Sequence, residues 1–494
     1  MVGQWGRRFG VALAALTLVY VGATWWVGKQ IEAHYHDVQY WQVPQNLQTA
    51  LAEKGLEITF EPQVFKRGLL SSTASFALRA RSQDEPLPKV LWQQKIIHGP
   101  LPWQRLLRLQ WKPVLATGSV YLDSKAMQTT LTEYLPEGWL RELSQALSLT
   151  YNVAFDGATT SEFRAQALAL SQEGSRWQSE PMHIQATVGS EGRLQSFDVS
   201  VQQLLLVGEQ WLAQFSFQLD VQGLLVTLRQ KALHGERLQY DSHSKAKLIN
   251  VHLHDEQDNS AIEMQLQEVA SQQHSELGVS ANGDVVHASH SKGSIGDVAV
   301  NGRSLGSLQF AWLVENLDVG ALARLADLGA EDMATLDELL ATLLALKPTF
   351  ELQQLTWQNQ GGKATLNAQA SAGPNELLTP ELGVVPKARA KTGLLFDGPM
   401  LQQLAKDIDA VTTQYHNTSD ERNTLVESLA MYDVWLGELV GLNMLQQEDE
   451  RYRLDVELEL EQGLRLFLNG YDVSESEMAA AWFMLMLMFS GSAP

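Results

Sequence analysis

From residue 56 almost to its end, this chain of 494 residues keeps returning to a two-residue rhythm. Apolar side chains alternate with polar ones in short runs, the period of a strand with one dry face and one wet face. Tyr151, Val153 and Phe155 do so, as do Phe197, Val199 and Val201, then Phe215, Phe217, Leu219 and Val221. Ile249, Val251 and Leu253 are answered across the polar stretch Asp255–Ser260 by Ile262, Met264 and Leu266, the pattern of a hairpin. The sharpest case lies near the end. There Leu454, Val456, Leu458 and Leu460 alternate with Asp455, Glu457, Glu459 and Glu461, Gln462-Gly463 turns, and Leu464, Leu466 and Leu468 return. Such one-sided strands belong to antiparallel sheet, because parallel strands covered by helices on both faces read as unbroken apolar runs. The expected fold is α+β and predominantly antiparallel β: an elongated curved sheet or open groove with packed helices.

Helical period breaks in at three places. Leu322, Leu325, Leu336, Leu339, Leu340 and Leu343 make a stripe within 319–346 that stops before Pro348. Residues 400–443 read as helical with a break near Asn417–Asp420, and the Met- and Leu-rich segment 475–489 reads as a terminal helix too short to span a bilayer. Residues 373–389, with Pro374, Pro380 and Pro386, read as a loop.

The N-terminal end is different in kind. Residues 9–27 form an uncharged apolar run behind Arg7 and Arg8, long enough to cross a hydrocarbon core as one helix. The positive charges before it place residues 1–8 in the cytoplasm and the rest on the far side of the membrane. Trp5, Trp25 and Trp26 stand where interfacial aromatics belong. A cleaved signal peptide ending near Val21-Gly22-Ala23 is the competing reading, and the length of the run argues for an anchor instead. Residues 28–55 then read as a helical stalk broken at Pro44, and 56–494 as the β-rich body.

The chain has no cysteine, which excludes disulfides, thiolate metal sites and cysteine nucleophiles, and suits an oxidising compartment such as a bacterial periplasm. A formal charge of −21 argues against a generic nucleic-acid binder and against a binder of anionic lipid surfaces. Gly302-Arg303-Ser304-Leu305-Gly306 fits a nucleophile-elbow spelling, but the residues after it alternate as a strand and only His416 lies downstream, so the glycines read as a turn. His252 and His254 are the nearest approach to a metal site. At i and i+2 they share a strand face, yet nothing in the sequence places a third ligand beside them from His243, His287 or His290. His34 and His36 do not share a helical face. Asp255–Leu266 lacks the glycine and the bidentate glutamate of a calcium loop, and the acidic row from Asp455 to Glu461 reads as a solvated strand face. No catalytic, cofactor or metal site is assigned.

The order of short motifs carries one further indication. After the basic, single-span N-terminus come Gly28-Lys29-Gln30-Ile31-Glu32, then Phe65-Lys66-Arg67-Gly68-Leu69-Leu70-Ser71-Ser72, then His98-Gly99-Pro100-Leu101-Pro102, and near the end Leu466-Phe467-Leu468-Asn469-Gly470. In these features the chain resembles the YdgA-like family of proteobacterial proteins. The positions that carry the resemblance are Phe65, Arg67, Gly68, Ser71, Ser72, His98, Gly99, Pro100, Pro102, Asn469 and Gly470. The resemblance implies a single-pass inner-membrane protein with a periplasmic, mostly β body, and it implies no catalytic residues. The expected function is therefore a non-enzymatic envelope protein, a scaffold or binding body whose partners are the membrane and itself or other envelope proteins. The alternative is a groove that holds lipid or another apolar ligand, and a metal-assisted hydrolase built on His252 and His254 stands behind both.

Overall fold

The computed structural model describes residues 24–33, 35, 56–82, 85–86, 89–99, 113–123, 137–172, 175–190, 192–208, 215–234, 237–255, 260–279, 285–326, 333–374, 386–413, 432–460 and 464–473. Most of the expected anchor, residues 36–55, His34, His36, Pro100, Pro102, His416 and the 475–489 segment lie outside them. Among the described residues no helix is long and apolar enough to cross a membrane. The chain divides into two compact units, residues 1–209 with 224–228, and residues 210–223 with 229–494.

The first unit is an antiparallel meander. Strands β1 (Leu56–Arg67), β2 (Ser71–Ser82), β4 (Val90–His98), β5 (Ala116–Leu122), β6 (Leu147–Val153) and β7 (Thr159–Ala165) pair in succession, and the short β3 (Glu85–Pro86) adds to β2. Beyond them, β8 (Leu168–Gln172), β9 (Ser175–Ser179), β10 (Met182–Val188) and β11 (Leu194–Gly208) complete the unit. The partners Ala165–Met182 and Leu168–Ser179 lie in one register, so β7 runs on into β8 opposite β9 and β10. Glu180-Pro181 interrupts the opposing strand, where proline has no N–H to give the ladder.

Directly opposed residues share a face, so the register lays Val120, Leu149, Phe163, Ile184 and Val199 in one row across this sheet. Helix α2 (Glu137–Ala146) lies over β5, β6 and β8, and its Leu143 packs with Trp92 and the buried Leu122. Tyr151 lies across Gly118, where an added Cβ would stand 2.2 Å from the ring Cζ, and Gln94 Nε2 donates to its hydroxyl. Burial raises the pKa of that phenol.

The second unit repeats the plan with longer strands. Strand β12 (Phe215–His234), of which residues 224–228 belong to the first unit, leads into β13 (Arg237–Asp255), β14 (Ser260–Val279), β15 (Val285–Val300) and β16 (Arg303–Asp318). From β13 onward each pairs with the next, and the hairpin expected across Asp255–Ser260 is present with those two residues opposed. Helices α3 (Val319–Ala326) and α4 (Met333–Ala345) follow. The buried Asp318 caps α3, its Oδ1 accepting the Ala321 N–H at 2.8 Å.

Strands β17 (Thr349–Asn359), β18 (Gly362–Pro374) and β19 (Pro386–Asp397) continue the ladder. The loop expected over 373–389 is narrower than the prolines imply. Pro374 opposes Pro386, and pairing begins there because each ring sits at a strand end.

Helices α5 (Gly398–Thr413) and α6 (Tyr432–Gly441) precede β20 (Gln446–Glu448), β21 (Arg451–Leu460), β22 (Leu464–Leu468) and β23 (Tyr471–Val473). Strand β21 pairs with β19 on one side and with β20 and β22 on the other. One apolar face runs through Phe310, Leu355, Leu366, Leu394 and Leu454, and a buried cluster of Phe396, Leu436 and Leu445 holds α6 against it. Arg303 Nε donates to the buried Asp407 at 2.8 Å and fixes α5.

Candidate functional site

The motif residues near the N-terminus converge on one place. In the β1–β2 hairpin the Gly68 N–H donates to the Ser71 carbonyl at 2.9 Å, and an added Cβ on Gly68 would lie 2.5 Å from that oxygen. Only glycine closes the turn this tightly. The ladder between β2 and β4 ends with the His98 N–H donating to Leu70 at 3.0 Å, and the Gly99 N–H then turns to the Leu115 carbonyl at 3.1 Å. Gly99 has a φ of 106°, a conformation that glycine adopts without strain. Arg67 opposes Ser72, and Ser72 opposes Ile96, two residues from His98, so Arg67, Ser72 and His98 share one face.

A helix fills that face. In α1 (residues 24–33, continued at 35) the buried residues are Thr24, Val27, Gly28 and Tyr35, spaced along one side. Gly28 lies directly on the His98 ring: a Cβ there would be 2.6 Å from Cε1 and 2.7 Å from Nδ1. Tyr35 locks the far end, its hydroxyl donating to the Ser75 carbonyl at 2.5 Å and accepting the Gln63 N–H at 3.1 Å. Its ring meets Phe65 with centroids 5.0 Å apart. Glu32 pairs with Arg67 at 2.9 Å, and the Arg67 guanidinium lies 5.5 Å from the Trp25 ring. Burial of Val27 contributes roughly 1.5–3 kcal/mol to docking.

The socket is electrostatically unusual. His98 is 1% exposed, and among the described residues neither ring nitrogen has a hydrogen-bond partner, nor has the buried Ser72 Oγ. Burial, helped by the positive charge of Arg67, lowers the His98 pKa, so the ring is a neutral packing body at neutral pH. Burial also raises the Tyr35 pKa. Arg67, a permanent cation on this face, is already held by Glu32. Phe65, Arg67, Ser72 and His98, which carry the family resemblance, work here as a receptacle for α1. Trp25 reads from the sequence only as an interfacial aromatic, and nothing local to Tyr35 announces its bonds to Ser75 and Gln63.

Asn469 and Gly470 do something else. They form a tight turn between β22 and β23 with φ of 49° and 85°, and the Asn469 side chain completes the edge of β21. Its Oδ1 accepts the Asp455 N–H at 2.9 Å while its own N–H donates to the Asp455 carbonyl at 2.7 Å. Its Nδ2 reaches the Asn443 carbonyl at 2.9 Å. Asn301-Gly302 repeats the device, exchanging the same two bonds with Glu263 at 2.8 and 2.7 Å. The turn read from Gly302–Gly306 is therefore made by the Asn-Gly pair, and Ser304 lies within β16, bonded to Asp297.

The remaining candidates are dispersed. His252 opposes Glu263 and His254 opposes Ala261, whereas His243 lies back along β13, opposite Gln272. His287 and His290 are on β15, opposite Leu277 and His274. Among the described residues no group of three or more His, Asp or Glu is placed to hold a metal. The acidic row on β21 faces bases on β19: Arg389 bonds Glu457 and lies 3.4 Å from Glu459, and Lys391 lies 3.9 Å from Glu457. Next to it, Gln354, Thr356, Thr365, Asn367 and Arg453 line a shallow polar hollow of about 630 Å³.

Comparison with known proteins bears on all of this. Residues 9–476 match the bacterial family DUF945, described as bacterial protein of unknown function. A stretch of 172 residues is 24% identical to Protein YdgA of Escherichia coli (strain K12), covering 33% of this chain and 32% of that protein, so the match spans about a third of the relative's length. No solved structure matches.

Proposed function

Because the chain belongs to DUF945, a family of bacterial proteins of unknown function, we propose that it is a non-enzymatic body tethered to the inner membrane and displayed in the periplasm, where it holds other envelope proteins. The observation that carries this reading is the α1 socket. The apolar run 9–27 ends inside α1, and α1 is keyed into the first unit by Gly28, Glu32 and Tyr35. A tether joined in this way sets the direction of the sheet that follows it, as a holding body requires. Phe65, Arg67 and His98 are taken up in making that joint, and this reading gives them no role in turnover.

The absence of cysteine makes the test direct. Phe155, 59% exposed in the turn after β6, is replaced by cysteine, and intact cells are treated with a membrane-impermeant maleimide. Labelling without lysis, together with extraction by detergent and not by alkaline carbonate, is the expected result. Labelling only after lysis, or release by carbonate, overturns the reading.

One observation favours a second reading, an apolar-ligand groove. Phe163, Ile184 and Val199 keep partial exposure on the apolar face of the first unit. Near-stoichiometric phospholipid in organic extracts of the gently purified full-length protein would establish it. An empty protein would leave the holding body alone.

A further inference from the structure

The rim of the α1 socket has a composition that the tether alone does not call for. Trp25 and Trp26 are 44% and 55% exposed at the start of α1, and Leu69 and Leu70 are 54% and 43% exposed at the β1–β2 tip. A packed sheet has no use for two adjacent exposed leucines in a turn already closed by Gly68. The two sets are held side by side, because Arg67, the residue before the tip, lies over the Trp25 ring. Lys29 stands 5.9 Å from the same ring, and Lys66 is exposed beside Arg67. In a chain of formal charge −21, this corner joins exposed apolar side chains to a local excess of positive charge.

The geometry points to a membrane-facing surface: Trp25, Trp26, Leu69 and Leu70 enter the interfacial region of the bilayer that holds the anchor, and Lys29 and Lys66 meet anionic headgroups. Tryptophan prefers the headgroup level, short apolar tips insert beside it, and lysines are drawn by Coulomb attraction to anionic headgroups. The occupant follows from continuity, since the apolar run 9–27 leads straight into this corner and brings the bilayer with it. The inference rests on the tethered reading and adds a second attachment, so that the first unit lies against the bilayer instead of standing off from it.

The test separates the two claims. Single cysteines at Leu16→Cys in the apolar run, Leu69→Cys at the tip and Phe155→Cys carry an environment-sensitive fluorophore in full-length protein. The protein is placed in nanodiscs of phosphatidylethanolamine and phosphatidylglycerol with or without a lipid-chain quencher. Blue-shifted, quenched emission at 16 and 69 with an unquenched label at 155 is expected. Adding Lys29→Glu and Lys66→Glu should abolish quenching at 69 and spare it at 16. Quenching at 16 with a water-exposed label at 69 overturns the surface and leaves the tether standing. No quenching at either position overturns the tether and the surface with it, and quenching at 69 that survives both lysine changes removes the headgroup assignment.

Discussion

The N-terminal socket and the C-terminal Asn-Gly turn both collect residues that recur in the order of motifs, and they use them in opposite ways. In the socket, side chains from three distant stretches, around Gly28, Phe65–Ser75 and His98, meet only when the first unit has folded. Shape carries the contact there, and three buried polar atoms have no hydrogen-bond partner among the described residues. At Asn469 shape matters little and hydrogen bonding is complete: one amide supplies the missing rung beside Asp455 and ties down the Asn443 carbonyl. The first kind of site tolerates no added volume, and the second tolerates no lost amide. A helix that must be held in one orientation is served by the first, and a strand edge that must not fray by the second.

Gly28→Leu tests the contrast most severely. The added carbons enter the space of the His98 ring, which a Cβ alone already reaches at 2.6 Å, and overpacking of this kind costs about 3 kcal/mol. The expected outcome is a lower urea midpoint for the first unit and fast hydrogen exchange over residues 24–35. The double variant Gly28→Leu, His98→Ala should recover much of the loss, because the cavity accepts the new side chain. Additive losses would mean that the two residues do not meet.

Asn469→Ala comes next, at about 2 kcal/mol, from the lost amide bonds and from placing alanine at a φ of 49°. Asn469→Gly separates the two causes. It keeps the turn and loses the amide, so it should restore only the conformational part. Full restoration by glycine would make this site a matter of backbone alone and erase half of the comparison. Thermal unfolding with hydrogen exchange at Asp455 reads both.

Alternation made the strands legible because the two faces of a strand differ: Leu454 packs with the cluster that holds α6, while Glu457 and Glu459 face Arg389 and Lys391. The hairpins and the stop before Pro348 were legible for local reasons, while the break expected near Asn417–Asp420 lies outside the described residues. The socket was not. His98 reads as part of a turn with Gly99 and Pro100, and what buries it is Gly28, a glycine within a helical run whose purpose only the tertiary contact reveals. Gly306 misleads in the same way. Its Cβ would lie 2.1 Å from the Gln358 carbonyl, so close approach in the ladder demands it, and the resemblance to a nucleophile turn is a coincidence of spelling.

The smallest effects come from two histidines whose environments differ in sign. Burial and Arg67 lower the His98 pKa from its ordinary 6.5. The unfolded chain then takes up a proton that the folded chain refuses, so the stability of the socket is whole above pH 6.5 and falls on acidification toward the lowered value, by at most about 1.4 kcal/mol per pH unit. In the second unit His274 bonds Asp241 at 2.6 Å and lies 3.3 Å from Glu276, and these carboxylates raise its pKa. Its contribution is whole below pH 6.5 and fades as pH rises through the raised value, and partial exposure of the group makes it the weaker of the two. Between pH 5 and 8, hydrogen exchange at β4 should therefore slow with rising pH, after correction for intrinsic rates, while exchange at β13 and β14 should quicken. His98→Leu should flatten the first trend and His274→Gln the second, each without touching the other. Parallel trends in both units, or a His98→Leu protein that still loosens in acid, would show that the neutral buried ring is not what the socket is built around.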